Sequence, residues 1–205
     1  WVDERSAVDA TEAAGVMRLR AEAQWRALPE ERGIASAVFR LPGLYGPGRN
    51  ALLQLAQGRA RHVVRPGLVF NRLHVDDLAT VVIASMRRPC VDGLYLPADD
   101  EPAPSQEVLA FAAQLGGFAM PPAVAWDDPA PSPTLRRFYE SNKRIDSRGT
   151  REALGWEPRF PTRVVLGSVH ASGVTQPSPR SMPAAACWAA WRRRVLSTEG
   201  MVRGA

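Results

Sequence analysis

Apolar residues recur at helical spacing along much of the chain. Val16/Met17, Ala21, Trp25 and Leu28, with Arg18, Arg20 and Glu22 between them, predict one amphipathic helix over 14–28 that ends before Pro29 and Gly33. Leu52, Leu53 and Leu55 predict a short helix from Asn50 to Gln57, stopped by Gly58. Another helix runs from Leu78 to Arg87, with Asp76 placed to cap it. Pro104-Ser105 opens a further helix through Leu115, with Val108, Leu109, Ala112 and Leu115 as its buried stripe and Gly116-Gly117 as its stop. Shorter helical runs are expected over 135–141, 150–154 and 163–170.

Strand-like runs lie between these helices, and the alternation of the two points to an α/β fold. Ala35 to Leu41 suits a buried strand, as do Leu73 to Val75 and Leu94 to Leu96. His62–Arg65 and Leu68–Phe70, joined across Pro66-Gly67, predict a hairpin. After Leu41 comes Pro42-Gly43-Leu44-Tyr45-Gly46-Pro47-Gly48-Arg49-Asn50, whose proline and glycine alternation is expected to continue neither strand nor helix. The chain leaves a sheet there. Ligands of open α/β sheets sit beyond the carboxyl ends of the strands, and Gly43, Gly46 and Gly48 let the backbone approach one closely. A surface turn without a ligand is the plainer alternative.

A strand that ends in Arg-Leu-Pro-Gly-Leu-Tyr-Gly-Pro-Gly resembles the loop after the sixth strand of the extended short-chain dehydrogenases/reductases (SDRs), the superfamily that includes the NAD-dependent epimerases and dehydratases. Three more stretches agree in the same order: Asn71-Arg72-Leu73-His74-Val75-Asp76-Asp77-Leu78-Ala79, Tyr95 to Pro104, and Asn142-Lys143-Arg144 with Leu154-Gly155-Trp156-Glu157-Pro158. The likeness runs from Trp1 to about His170 and is to an atypical branch. It implies the C-terminal part of a Rossmann-type fold: the remaining parallel strands plus a small α/β substrate lobe.

The resemblance also implies site residues. Arg18, Leu41, Pro42, Gly43 and Leu44 would face the dinucleotide, with 41–44 lining the nicotinamide end. Tyr45, Arg49, Asn50, Asn71, Arg72, His74, Tyr139 and Lys143 would face the substrate. In the superfamily the first helix carries a Tyr-x-x-x-Lys pair, and residues four apart share a helix face, so the lysine can draw the phenol's pKa down for acid or base work. Aligned on Glu22, those positions hold Ala14 and Arg18. Alanine moves no protons and guanidinium stays charged, so no catalytic residue is assigned. Tyr139 and Lys143 repeat the spacing, but well past the Pro/Gly loop, where such spacings arise freely by chance; the pair is expected to point into one shared pocket from the substrate side rather than to act as the catalytic pair. No Gly-x-Gly-x-x-Gly or Gly-x-x-Gly-x-x-Gly opens a βαβ unit, so NAD or NADP is expected to bind weakly or not at all to these residues alone.

Other acidic and basic clusters have plain readings beside functional ones. Asp76 and Asp77 serve a helix start, with Arg72 as an ion-pair partner, unless Asn71, Arg72 and His74 carry the cleft. Asp99-Asp100-Glu101 reads as a solvated turn rather than a metal site, because no His or further carboxylate is tied to it. Pro121 to Pro133, with five prolines, reads as an extended cover strand or a mobile loop.

Charge changes the picture less than its total suggests. The 205 residues carry a net +5, but from Ala171 onward five arginines face one acid, so residues 1–170 carry only +1. A near-neutral body argues against a nucleic-acid surface. The segment 171–205, rich in Pro, Ala and Arg, is expected to be a disordered tail, with a basic amphipathic helix on anionic lipid as the alternative. No apolar run is long enough to span a membrane. Cys90 and Cys187 stand alone and His62, His74 and His170 are scattered, which suggests a cytoplasmic setting and no metal site. Trp1-Val2-Asp3-Glu4-Arg5 looks neither like a signal peptide nor like a natural start, as if the chain began mid-protein.

Two functional classes remain. One is the substrate-side portion of an NAD(P)-dependent epimerase/dehydratase-like oxidoreductase acting on a small molecule, impaired in catalysis as it stands and possible as a homodimer. The other is a non-catalytic nucleotide-sensing protein, or a fragment without independent activity.

Overall fold

The computed structural model describes residues 1–8, 10, 12–32, 35–88, 92–128 and 138–162. The expected helix over 163–170, the tail from 171, and residues 135–137 of another expected helix lie outside the described residues. In chain order the elements are α1 (Ala13–Arg32), β1 (Ser36–Phe39), β2 (Gly43–Tyr45), α2 (Ala51–Ala56), β3 (His62–Val64), β4 (Arg72–His74), α3 (Val75–Arg87), β5 (Asp92–Tyr95), α4 (Ser105–Gly116), β6 (Ala123–Ala125) and α5 (Arg148–Leu154).

All three strand pairs are parallel, which requires crossover connections rather than tight turns. In β1 and β5 Phe39 stands opposite Tyr95, in β2 and β4 Tyr45 stands opposite His74, and in β3 and β6 Val63 stands opposite Val124. The main core joins these strands to helices: Leu73 and Val81 are completely buried, with Tyr95, Leu154 and Trp156 around them and Phe39, Leu44 and Leu78 at the flank. α3 therefore lies on the strands through Val81 and leaves Ile83 and Met86 exposed. Gly155, at φ +57°, ends α5, and the Trp156 N–H donates back to the Arg151 carbonyl at 3.1 Å. That turn aims the indole inward, where its Nε1–H donates to Thr80 Oγ1 at 2.8 Å. A second cluster packs α2 on α4 through Leu55, Leu109, Ala112 and Ala113, and a third gathers Val63, Leu68 and Tyr139.

Several local expectations need correction. α1 continues to Arg32, past Pro29. The Pro/Gly stretch contains strand β2, because Pro42 sits outside its start, where no ladder donor is needed, and the Gly43 N–H donates to Asn71 O at 3.2 Å. No hairpin joins 62–65 to 68–70. Pro66-Gly67 does turn the chain, but the Val69 N–H is taken by Asn142 Oδ1 at 3.2 Å, and β3 pairs with β6 instead. β6 in turn lies inside the proline-rich stretch as an extended cover strand. On α4 the buried stripe is Leu109, Ala112 and Ala113, while Leu115 is about half exposed. Only Leu55 of the three α2 leucines is fully buried.

Among the described residues no helix is long and apolar enough to cross a membrane, and no group of His, Cys, Asp or Glu side chains could hold a metal ion.

Candidate functional site

A cleft of about 740 Å³ opens beside the strands, between the β2–β4 pair, α2 and α4. Six of the residues expected to face a ligand line it: Leu44, Tyr45, Arg49, Asn50, Arg72 and Tyr139. β2 delivers the first two at its carboxyl end, where ligands of α/β sheets gather. Gly46 follows at φ +155°, and a Cβ there would come within 2.6 Å of Val75 Cγ2, so the backbone turns toward α2 only because the position is glycine. The turn is closed by Gly46 and Arg49 exchanging backbone hydrogen bonds at 3.0 and 3.1 Å.

The lining residues differ in what their side chains are free to do. Asn50 is the cap of α2: its Oδ1 accepts from Leu53 N at 2.9 Å and its Nδ2 donates to Gly46 O at 3.0 Å. Arg72 is anchored by Nη1, which donates to the carbonyls of Phe70 and Ala103 at 3.0 and 3.1 Å. Tyr139 is buried, its hydroxyl 3.2 Å from Ser105 Oγ and its ring edge-on to Phe70. Burial, with the negative charges of Asp99 and Asp77, pushes the Tyr45 phenol well above its usual range, so it stays protonated at neutral pH.

The remaining expected residues have other places. Asn71 ties strand β4 to the segment after Tyr139: Nδ2 donates to Lys143 O at 2.9 Å and Oδ1 accepts from Ile145 N at 2.8 Å. Lys143 itself is exposed and does not line the cleft, so the expected sharing of one pocket with Tyr139 does not occur. His74 is buried as the cap of α3, its Nδ1 accepting from Asp76 N at 3.2 Å and its ring stacked on Phe160 at 3.8 Å. It displaces Asp76 from the capping role because the strand places the imidazole directly over the first turn. Asp77 is completely buried and accepts from Arg159 N and Phe160 N at 2.8 and 3.0 Å. Arg18 and Ala14 are exposed on α1, Leu41 is 43% exposed, and neither these nor Pro42 and Gly43 line the cleft.

One residue of the cleft was missed. Asp99 belongs to the triplet expected to be a solvated turn, yet it is only 6% exposed and faces the cleft. The apolar run Leu96-Pro97-Ala98, buried throughout, carries it inward, and that continuation past β5 was the available signal. Its backbone N–H donates to Arg72 O at 2.8 Å, and its carboxylate accepts from Glu101 N at 3.3 Å. Burial pushes its carboxyl up to about 7, although the Glu101 N–H and the charge of Arg72 both oppose the rise. Asp100, next in sequence, does face solvent and pairs with Arg151.

No family model matches the chain. It is 30% identical over 166 residues to the 3-diazoavenalumate denitrifying reductase of a Streptomyces species, covering 76% of this chain and 53% of that protein. Among solved structures, a conserved protein of unknown function from Silicibacter pomeroyi is 43% identical, with a TM-score of 0.77 over 84% of this chain and 60% of the other. UDP-glucose 4-epimerase from Thermotoga maritima, solved with UDP-glucose, is 18% identical with a TM-score of 0.62 over 77% of this chain and 52% of its own. The dTDP-glucose 4,6-dehydratase DesIV from Streptomyces venezuelae, with NAD and TYD bound, is 15% identical with a TM-score of 0.63 over 82% and 52%. The chain has the fold of the extended SDRs. It spans about half the length of the curated relative it matches.

The extended SDR fold implies a dinucleotide, and the described residues do not fit one by themselves. A pyrophosphate needs free amides at a helix N-terminus that follows a strand. Among the described residues no Gly-x-Gly-x-x-Gly or Gly-x-x-Gly-x-x-Gly leads from a strand into a helix, and at the starts of α2 and α3, behind β2 and β4, one amide each is already taken, Leu53 N by Asn50 and Asp76 N by His74.

Proposed function

We propose that the chain supplies the substrate-binding side of an NAD(P)-dependent, epimerase/dehydratase-like oxidoreductase acting on a small organic molecule. The observation that carries this reading is the 740 Å³ cleft at the carboxyl end of β2, furnished with both apolar wall and charged side chains. The reductase relative and the NAD-bound neighbour with the same fold support the reaction class. The dinucleotide would be held by residues other than those described, and with Ala14 and Arg18 in place of the Tyr/Lys pair the proton would be handled by another group.

Calorimetric titration of the purified chain with NADH and NADPH tests the division of labour: dissociation constants in the millimolar range or weaker are expected. A micromolar constant would refute it. The polypeptide purified from its native host, assayed for NADH and NADPH oxidation against ketones, nucleotide sugars and aryl acids, tests the reaction class; the absence of turnover with dinucleotide bound would favour a sensing role.

A further inference from the structure

The cleft is graded from its mouth inward. Arg49, Arg59 and Arg61, from the segments that flank α2, are exposed residues on its wall, whereas Asp99 is nine-tenths buried and still faces it. The rest of the lining mixes apolar side chains, Leu52, Val108 and Phe111 among them, with the polar Tyr45, Arg72, Ser105 and Tyr139. A ligand that satisfies this arrangement is an amphipathic anion: a charged end for the guanidinium groups, an apolar body, and a hydrogen-bonding group for Asp99.

We propose that Asp99 is the specificity-determining acid of this cleft, the group that binds a hydroxyl of an aromatic carboxylic acid whose anionic end is held by the arginines at the mouth. The proposal rests on the reading of the cleft as the substrate side. A buried carboxyl is costly to keep without a partner, and here the protein offers it a backbone N–H from Glu101 at 3.3 Å. The titratable and charged groups around it are Tyr45 from β2, Arg72 from β4, Asp100 and Glu101 from its own loop, and Asp146, Arg148 and Arg151 around a smaller hollow that Asp99 also lines. Arg49, Arg59, Arg61 and Arg72 outnumber Asp99 and Glu101 on the wall, so the field disfavours a cationic ligand and leaves a neutral donor as the partner of Asp99. A hydroxyl suits it in both protonation states: it donates to the carboxylate and accepts from the carboxylic acid. An analogue with hydrogen at that position strands the acid, and sites of this kind discriminate strongly against the analogue.

The test is calorimetric titration of the purified chain, near neutral pH and without dinucleotide, with 4-hydroxycinnamate and with cinnamate. The wild type is expected to bind the hydroxylated acid about tenfold more tightly or better. D99A should bind both acids alike, with cinnamate no weaker than in the wild type, and the isosteric D99N should keep part of the preference because an amide both donates and accepts. R49A/R61A should weaken both acids equally. Equal binding of the two acids by the wild type, or a preference that survives in D99A, overturns the role of Asp99 while leaving the substrate-side reading standing. Failure of either acid to bind at millimolar concentration overturns the proposed ligand class, and failure of every compound in the wider panel as well overturns the substrate-side reading with it.

Discussion

The Arg40 guanidinium grips the Glu22 carboxylate in two hydrogen bonds, Nε to Oε2 at 3.1 Å and Nη2 to Oε1 at 2.8 Å. This fork fastens α1 to the end of β1, and both side chains are more than two-thirds removed from solvent. Partly buried bidentate pairs are stronger than exposed ones. A double-mutant cycle with E22Q and R40M, read from urea unfolding, should give a coupling of about 1–2 kcal/mol. Additive single-site effects would mean that α1 is held by other contacts.

Asp77 uses both carboxylate oxygens on the backbone at Arg159 and Phe160. D77A would leave two N–H groups stranded at a site where Phe160 itself is buried, and should cost about 3 kcal/mol of stability. D77N keeps one acceptor and should lose roughly half as much. Chemical denaturation distinguishes the two, and a loss under about 1 kcal/mol for D77A would show that the strap at 159–160 finds new partners.

Thr150 is wholly buried, and its hydroxyl accepts from Leu96 N at 2.7 Å while donating to Glu4 Oε1. T150V preserves shape and removes both bonds. It should destabilise the protein by about 2 kcal/mol, and T150S should recover most of that. Equal melting temperatures for T150V and the wild type would contradict this linkage of α5, β5 and the N-terminal segment.

Asp99 makes stability depend on pH in a defined window. Its carboxyl lies near 7 in the folded chain against 3.8 ordinarily, so between those values the native state binds more protons than the unfolded state. Stability therefore falls as pH rises from about 4 to about 7 and levels off above, by up to ~4 kcal/mol in total. D99N should flatten that slope and be the more stable protein at pH above 7. Asp146, held down to about 2 by its hydrogen bonds to Arg148, titrates below this window, so it does not mask the effect. Unfolding midpoints for the two proteins across the range check the sign, and a wild-type stability that rises through this window would exclude it.

The helices were legible because their determinants are local. Asn50 caps α2 through a residue three positions on, Gly117 and Gly155 end α4 and α5 in left-handed conformations, and α3 shows its buried face at helical spacing. The order of motifs also pointed to the right fold, and Tyr45, Arg49, Arg72 and Tyr139 do line one cleft. Strand pairing was not legible. β3 turned out to match β6, about sixty residues away, because Asn142 had claimed the Val69 N–H that a hairpin would have needed. Asn71 has the polarity of a ligand-binding residue, but its hydrogen bonds go to backbone groups at Lys143 and Ile145 that only folding brings near, and His74 spends its Nδ1 on capping α3.

By itself, then, the order of residues determined what depends on neighbours within a turn or two: where helices lie, the Asn50 cap and the glycine stops of α4 and α5, and the kind of fold that such elements build. Tertiary structure alone decided which strands pair, which polar side chains are consumed in holding the chain together, and that Asp99 rather than Asp100 is taken from water. Those outcomes rest on desolvation and on competition for hydrogen-bond partners, and both are set by segments far apart in the sequence.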